Sequence, residues 1–183
     1  MSVKILGLDP GFANLGTLGM KFTAAGSARI VRTEVLVTCP MSKKLRRREM
    51  DDELRRLTEL RCGLSRIIDE FEPDAIASEQ RPQLRSQKAS AQVALAYAMT
   101  FTLACERGLP FLVYTIGEIK QEVCGDRQAP KSKIIERLRH LDPRFKAWPD
   151  DDGIKHCADA GGAAMCGAKD SVMQAIMRER GRK

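Results

Sequence analysis

Four residues in this chain have the types and settings that metal-assisted phosphate chemistry needs. Asp9 closes the apolar run Ile5-Leu6-Gly7-Leu8 and is followed by Pro10-Gly11. Proline presets one backbone angle and glycine accepts a positive φ, so the acid stands at a strand end backed by a rigid turn. Glu79 closes a second short run, Ala75-Ile76-Ala77-Ser78. His156 and Asp159 are three apart in an expected helix and so share one face. If the two strands are neighbours, their ends can meet that face. Close carboxylates repel one another and raise their own pKa values. A divalent cation relieves the repulsion, and oxygen ligation with some imidazole suits Mg²⁺ or Mn²⁺. Two such ions about 4 Å apart can clamp the attacking and leaving oxygens of a phosphodiester. Asp152, one turn earlier, reads as a helix N-cap more readily than as a ligand. Lys120 and Lys131 each follow a helix start, where an ammonium meets either a phosphate or only solvent.

The elements that must hold these groups follow from periodicity. Residues 3–9 read as a first strand and residues 10–14 as a turn. Two further runs, 16–22 and 29–37, flank Ala24-Ala25-Gly26-Ser27 as a hairpin. A long helix is expected from about Leu45 to Phe71, with Leu54, Leu57, Leu64, Ile68 and Phe71 as its apolar stripe. Residues 74–79 read as a strand. An alanine-rich helix over about 86–107 can let another backbone approach closely, either the sheet or the same helix of a second subunit. Residues 111–114 read as a strand. Thr115-Ile116-Gly117-Glu118 has the capping-box pattern of a short helix. Pro130 fits the start of another helix, and the last main helix runs from about Asp152 to Cys166. No repeat or linker is visible. The reading is an α/β domain over 1–168, its sheet part antiparallel and part parallel, followed by a basic C-terminal tail over 169–183.

Composition narrows the partners. The net charge is +7 over 183 residues. The excess is clustered at Lys43, Lys44, Arg46, Arg47 and Arg48, at Lys131, Lys133, Arg137 and Arg139, and in the tail. Clusters of this kind point to a polyanion, nucleic acid first. The first cluster is also compatible with an import signal or a solvated helix start. Six scattered cysteines without a CxxC pair, and only two histidines, argue against structural zinc. No apolar run approaches membrane-spanning length and no basic-then-apolar segment opens the chain, so a cytoplasmic protein with no membrane partner is expected.

Taken in order, these motifs resemble those of the RuvC-type Holliday-junction resolvases, in the ribonuclease H-like superfamily. The resemblance spans about residues 4 to 166. Ile5-Leu6-Gly7-Leu8-Asp9-Pro10-Gly11 with Gly16 is similar to the family's opening strand and turn, and Ala75-Ile76-Ala77-Ser78-Glu79-Gln80 to its second acid. The stretch from Tyr114-Thr115 to Lys120, then Lys131-Ser132, resembles the segment carrying two active-site lysines. His156-Cys157-Ala158-Asp159-Ala160 resembles the closing motif, where members carry Asp or His at the first position.

The resemblance implies a ribonuclease H-like mixed five-stranded sheet flanked by helices. It implies Asp9, Glu79, His156 and Asp159 as ligands for two Mg²⁺ ions, with Lys120 and Lys131 beside them. It also implies a homodimer that nicks opposed strands of a four-way DNA junction, leaving 5′-phosphate and 3′-hydroxyl ends. After the second acid, members often carry an aromatic wedge. Here Gln80-Arg81-Pro82 follows, and Phe12, Arg81 or Arg85 are the residues left to contact the crossover, with Lys43, Lys44, Arg46 and Lys133 on flanking DNA. The extra basic segments suggest a phage or mobile-element member, active in the host cytoplasm. The competing readings are a non-catalytic branched-DNA-binding protein and an RNA-processing nuclease of the same superfamily. An actin-like nucleotide-binding fold also opens on a strand, an Asp and a glycine turn, but needs two such subdomains and a longer chain.

Overall fold

The computed structural model describes residues 2–42, 44–45, 48–80, 86–142 and 152–181. Expectations placed on Lys43, Arg46, Arg47, Arg81 and Arg85, and on the side chain of Asp152, lie outside the described residues. Strands β1 (Ser2–Asp9), β2 (Asn14–Thr23) and β3 (Ala28–Val37) form an antiparallel meander. Helix α1 (Glu49–Phe71) leads to β4 (Ala75–Glu79), and α2 (Gln87–Glu106) leads to β5 (Phe111–Tyr114). Strands β4 and β5 run parallel to β1, and the sheet order is β3-β2-β1-β4-β5. Then come α3 (Ile116–Cys124), α4 (Lys131–Leu141), α5 (Asp152–Lys169) and α6 (Ser171–Gly181). This is the mixed five-stranded sheet flanked by helices that the resemblance implied.

Alternation along the strands divides the core in two. Leu6, Leu8 and Ile76 pack with Leu60, Leu64, Ile67 and Phe71 of α1 and with Met99 and Leu103 of α2. Val3, Ile5, Ala75 and Ala77 face the other way, onto Ile119, Ile134, Leu138 and the small residues Ala160, Ala163 and Ala164. Because side chains alternate, Asp9 and Glu79 fall on the same face as Ile5 and Ala77, the face that α5 covers.

Two expectations about α1 change. Helix α1 begins at Glu49, with Glu49, Asp51 and Asp52 in its first turn. Acids suit the partial positive charge of a helix N-terminus and a basic run does not, so the helix starts after the lysine and arginine block. Leu54 is 56% exposed and leaves the stripe, and Leu60 and Ile67 join it. The basic tail is ordered into α6, where Met173 is buried in the α5-side core and Arg180 pairs with Asp74. The capping box forms as expected: Thr115 Oγ1 accepts from Glu118 N–H, and the Glu118 carboxylate accepts from Thr115 N–H at 2.7 Å. No helix among the described residues is long and apolar enough to cross a membrane.

Candidate active site

Register places the two strand-end acids side by side. Leu8 pairs with Ser78 across β1 and β4, so the next residues, Asp9 and Glu79, close their strands side by side. The third and fourth groups arrive because α5 presses unusually close to the sheet. Gly16 is the cross-strand partner of Asp9, and a Cβ built there would lie 2.6 Å from the carbonyl carbon and oxygen of His156. At Gly7 a Cβ would lie 1.8 Å from the Ala160 carbonyl oxygen. These two glycines are therefore the seat of α5. Their missing side chains let the backbone of His156 rest directly beside Asp9, and Asp159 follows on the same helix face.

Within the site the groups are paired. His156 Nδ1–H donates to Asp9 Oδ2 at 2.6 Å, and this hydrogen bond pushes the imidazole pKa up against the opposing effect of burial. The Lys131 ammonium, on the first turn of α4, donates to Asp159 Oδ2. Burial raises the Asp159 pKa, and Lys131 opposes that rise. Asp159 Oδ1 is buried and has no hydrogen-bond partner among the described residues. The Glu79 carboxyl is pushed up to about 7, first by burial and then by the charges of Asp159 and Asp9.

The expected joint convergence of three acids and an imidazole is therefore adjusted. Among the described residues, no three His, Cys, Asp or Glu side chains stand as a ready ligand cluster. Asp9 is turned to His156 and Asp159 to Lys131, because buried negative charge takes whichever positive or donor group lies nearest. An oxygen on Asp159 that is unsatisfied among the described residues, and the raised carboxyl of Glu79, still fit a cation. Removing Lys131 from Asp159 would be part of loading it.

The other expected site residues divide. Lys131 is in the site. Lys120 is half-buried on α3 and is paired with none of the four. Lys44 and Lys133 are exposed, and Lys133 shares a concave surface with Arg137 and His140, at four- and seven-residue steps along α4. Phe12 does not present to solvent. It is 3% exposed in the α1-side core, where the Arg56 guanidinium covers its ring. An aromatic residue after an exposed turn looks available in a sequence, but the turn folds its side chain under the sheet end. Arg56 itself escaped notice in the sequence, because one more arginine on a charged helix carries no distinguishing signal.

Known proteins share this sequence pattern and this fold. The family model described as crossover junction endodeoxyribonuclease RuvC matches residues 5–166. RuvC of Moorella thermoacetica is 31% identical over 167 residues, covering 90% of each chain. That of Parvibaculum lavamentivorans is 27% identical, covering 97% of this chain and 96% of the relative. Among solved structures, T. thermophilus RuvC in complex with Holliday junction substrate superposes with a TM-score of 0.77 at 24% identity, covering 94% of this chain and 96% of that one. The yeast mitochondrial Holliday junction resolvase Ydc2 gives 0.59 at 15% identity, covering 96% and 82%. Those two structures share the ribonuclease H-like fold. With a family match over most of its length, and with the motif acids brought to one end of the sheet, the chain belongs to the RuvC family of crossover junction endodeoxyribonucleases.

Proposed function

We propose that the chain resolves four-way DNA junctions by paired, symmetrical, metal-dependent nicks, with Asp9, Glu79, His156 and Asp159 as the ligand set. The observation that carries the metal reading is Asp159 Oδ1, a buried carboxylate oxygen without a partner among the described residues, beside a second acid whose carboxyl is pushed up to about 7. Such groups are costly to bury unless something positive completes them. The donors, oxygens with one imidazole, suit Mg²⁺ with Mn²⁺ as substitute, two ions per site. When bound, the ions supply charge neutralisation and lower the pKa of the attacking water.

The chain's own residues do the rest. Asp9 and Glu79 hold their carboxylates at fixed strand ends, so little reorganises when substrate arrives. Lys131 keeps Asp159 oriented in the free protein. Once a phosphodiester enters, its ammonium is placed to leave Asp159 and stabilise charge on the phosphate. Lys120 is the second ammonium for that role. Water attacks phosphorus in line, the bond to the 3′-oxygen breaks, and a proton passes to that oxygen. A 5′-phosphate and a 3′-hydroxyl result. In the alternative to ligation, His156, hydrogen-bonded to Asp9 with a raised pKa, holds or returns a proton at the same end of the site. Lys133 and Arg137, beside the His140 imidazole, offer cationic donors for the flanking backbone.

Two-fold symmetry of the junction calls for a two-fold protein. Helix α2 supports this with an outward face carrying Ala91, Leu95 and Ala98, where Leu95 is 41% exposed and the neighbouring Phe101 is 49% exposed. Small and apolar residues on an edge helix suit packing against a second copy. The test is cleavage of a mobile four-way junction, compared with duplex DNA, an RNA hairpin and a DNA–RNA hybrid, with and without Mg²⁺. Asp9→Asn should abolish cutting and leave junction binding in EDTA intact. Normal cutting by that variant would remove the ligand set proposed here.

A further inference from the structure

The turn that follows Asp9 is gripped from beneath by a buried cation. Arg56 of α1 is 7% exposed, and its guanidinium carbon lies 4.4 Å from the centroid of the Phe12 ring. Its Nε donates to Thr38 Oγ1 at 3.0 Å. The Thr38 hydroxyl, having accepted that bond, donates its own proton to the Phe12 carbonyl at 2.7 Å. Thr38 N–H donates to the Ala13 carbonyl at 2.8 Å. One arginine and one threonine thus hold the ring and two carbonyls of residues 12–13. The turn between them and Asp9 is tight, since a Cβ on Gly11 would lie 2.2 Å from the Asn14 carbonyl oxygen. A compact turn passes its anchorage to the acid at its start.

Burying a guanidinium costs several kcal/mol before any pairing, so a fold that needed only filling here would do better with an apolar side chain. Asp52, one turn earlier on α1 and also buried, lies on the same stretch of helix and accepts from Met41 N–H at 3.1 Å. Arg56 makes two directed contacts, its stacking on the Phe12 ring and its hydrogen bond to Thr38, and Thr38 in turn holds the carbonyls of Phe12 and Ala13; this distinguishes it from a space-filling residue. Cation–π stacking and a planar donor are properties that lysine reproduces only in part.

We infer that Arg56, acting through Thr38 and Phe12, is a positioning residue that holds Asp9 in ligating geometry; the inference rests on the metal-site reading above. It touches neither substrate nor metal. Its loss loosens the turn, weakens metal binding, and leaves junction affinity alone. Partners one layer behind a metal ligand typically change metal affinity by about 10–100-fold.

The experiment uses the full chain and the variants Thr38→Val, Arg56→Met and Arg56→Lys. Amide hydrogen exchange over residues 10–14 is measured in EDTA. Mn²⁺ binding is measured without DNA by electron paramagnetic resonance, and junction affinity in EDTA. Thr38→Val and Arg56→Met should speed exchange in the turn and raise the Mn²⁺ dissociation constant by about tenfold, with Arg56→Lys between them and the parent. Junction affinity should stay within about twofold, and excess metal should restore cleavage. Lower melting temperatures with unchanged Mn²⁺ affinity would mean a merely structural arginine and overturn the proposal. If Arg56→Met does not fold, the near-isosteric Thr38→Val decides. If the parent itself binds no Mn²⁺, the metal reading fails separately, and unchanged exchange in the turn would still overturn the brace.

Discussion

Replacing Glu79 by Gln should stabilise the metal-free protein, and by an amount that depends on pH. The folded carboxyl sits at about 7, against an ordinary value of 4.5. The native state therefore holds the proton more tightly than the unfolded chain. Between pH 4.5 and 7 it binds more protons, so stability falls as pH rises through that window and stays lost above it. Integrated over the gap, the ionisable side chain costs about 3 kcal/mol at pH 8 and under about 1 kcal/mol at pH 5. Gln is neutral throughout and escapes the penalty. For a chain of this size the gain at pH 8 corresponds to a rise of about 5–10 °C in melting temperature. The assay is thermal unfolding in EDTA at both pH values, parent against variant. Adding Mn²⁺ should then stabilise the parent more than the variant, since binding to the native state alone raises its stability. An equal temperature difference at pH 5 and pH 8, or none at pH 8, would refute the claim that burial and neighbouring acids load strain onto Glu79.

Other outcomes follow from the same geometry. Gly16→Ala places a methyl against the His156 backbone; it should cost about 1–3 kcal/mol in urea unfolding and sharply reduce cleavage by displacing α5 from Asp9. Unchanged activity would mean that the close approach of α5 is dispensable. Lys131→Ala should leave Asp159 without its cation and slow single-turnover cleavage more than it weakens junction binding; parental rates would reduce Lys131 to a surface charge. Phe101→Glu together with Leu95→Glu should shift the protein from dimer to monomer in sedimentation at micromolar concentration, whereas a monomeric parent would remove the dimer proposal.

Much of this site was legible before folding because its signals are local. Asp9 and Glu79 announced themselves as acids closing short apolar runs, and a three-residue step placed His156 and Asp159 on one helix face whatever that helix packed against. Thr115 and Glu118 cap α3 within one turn. Helix α1 was legible as an element, but its start and inward stripe were not. Only its dipole and the shape of the sheet beneath decide that Glu49 opens it and that Leu54 faces water.

Local spacing was enough for the inventory and order of the chemistry: strand-end acid, strand-end acid, two lysines, helix His-x-x-Asp. Alternation and helical pitch are properties of the backbone, so they can be read from spacing. Tertiary structure decided how those groups are paired. Lys131 rests on Asp159, His156 rests on Asp9, and burial beside those two acids pushes the Glu79 carboxyl up to about 7. It also turned Phe12 inward beneath Arg56 and made Gly16 the seat of α5. Each of these depends on contacts between residues far apart in the chain, where distance in space, and not spacing in sequence, sets which charge meets which.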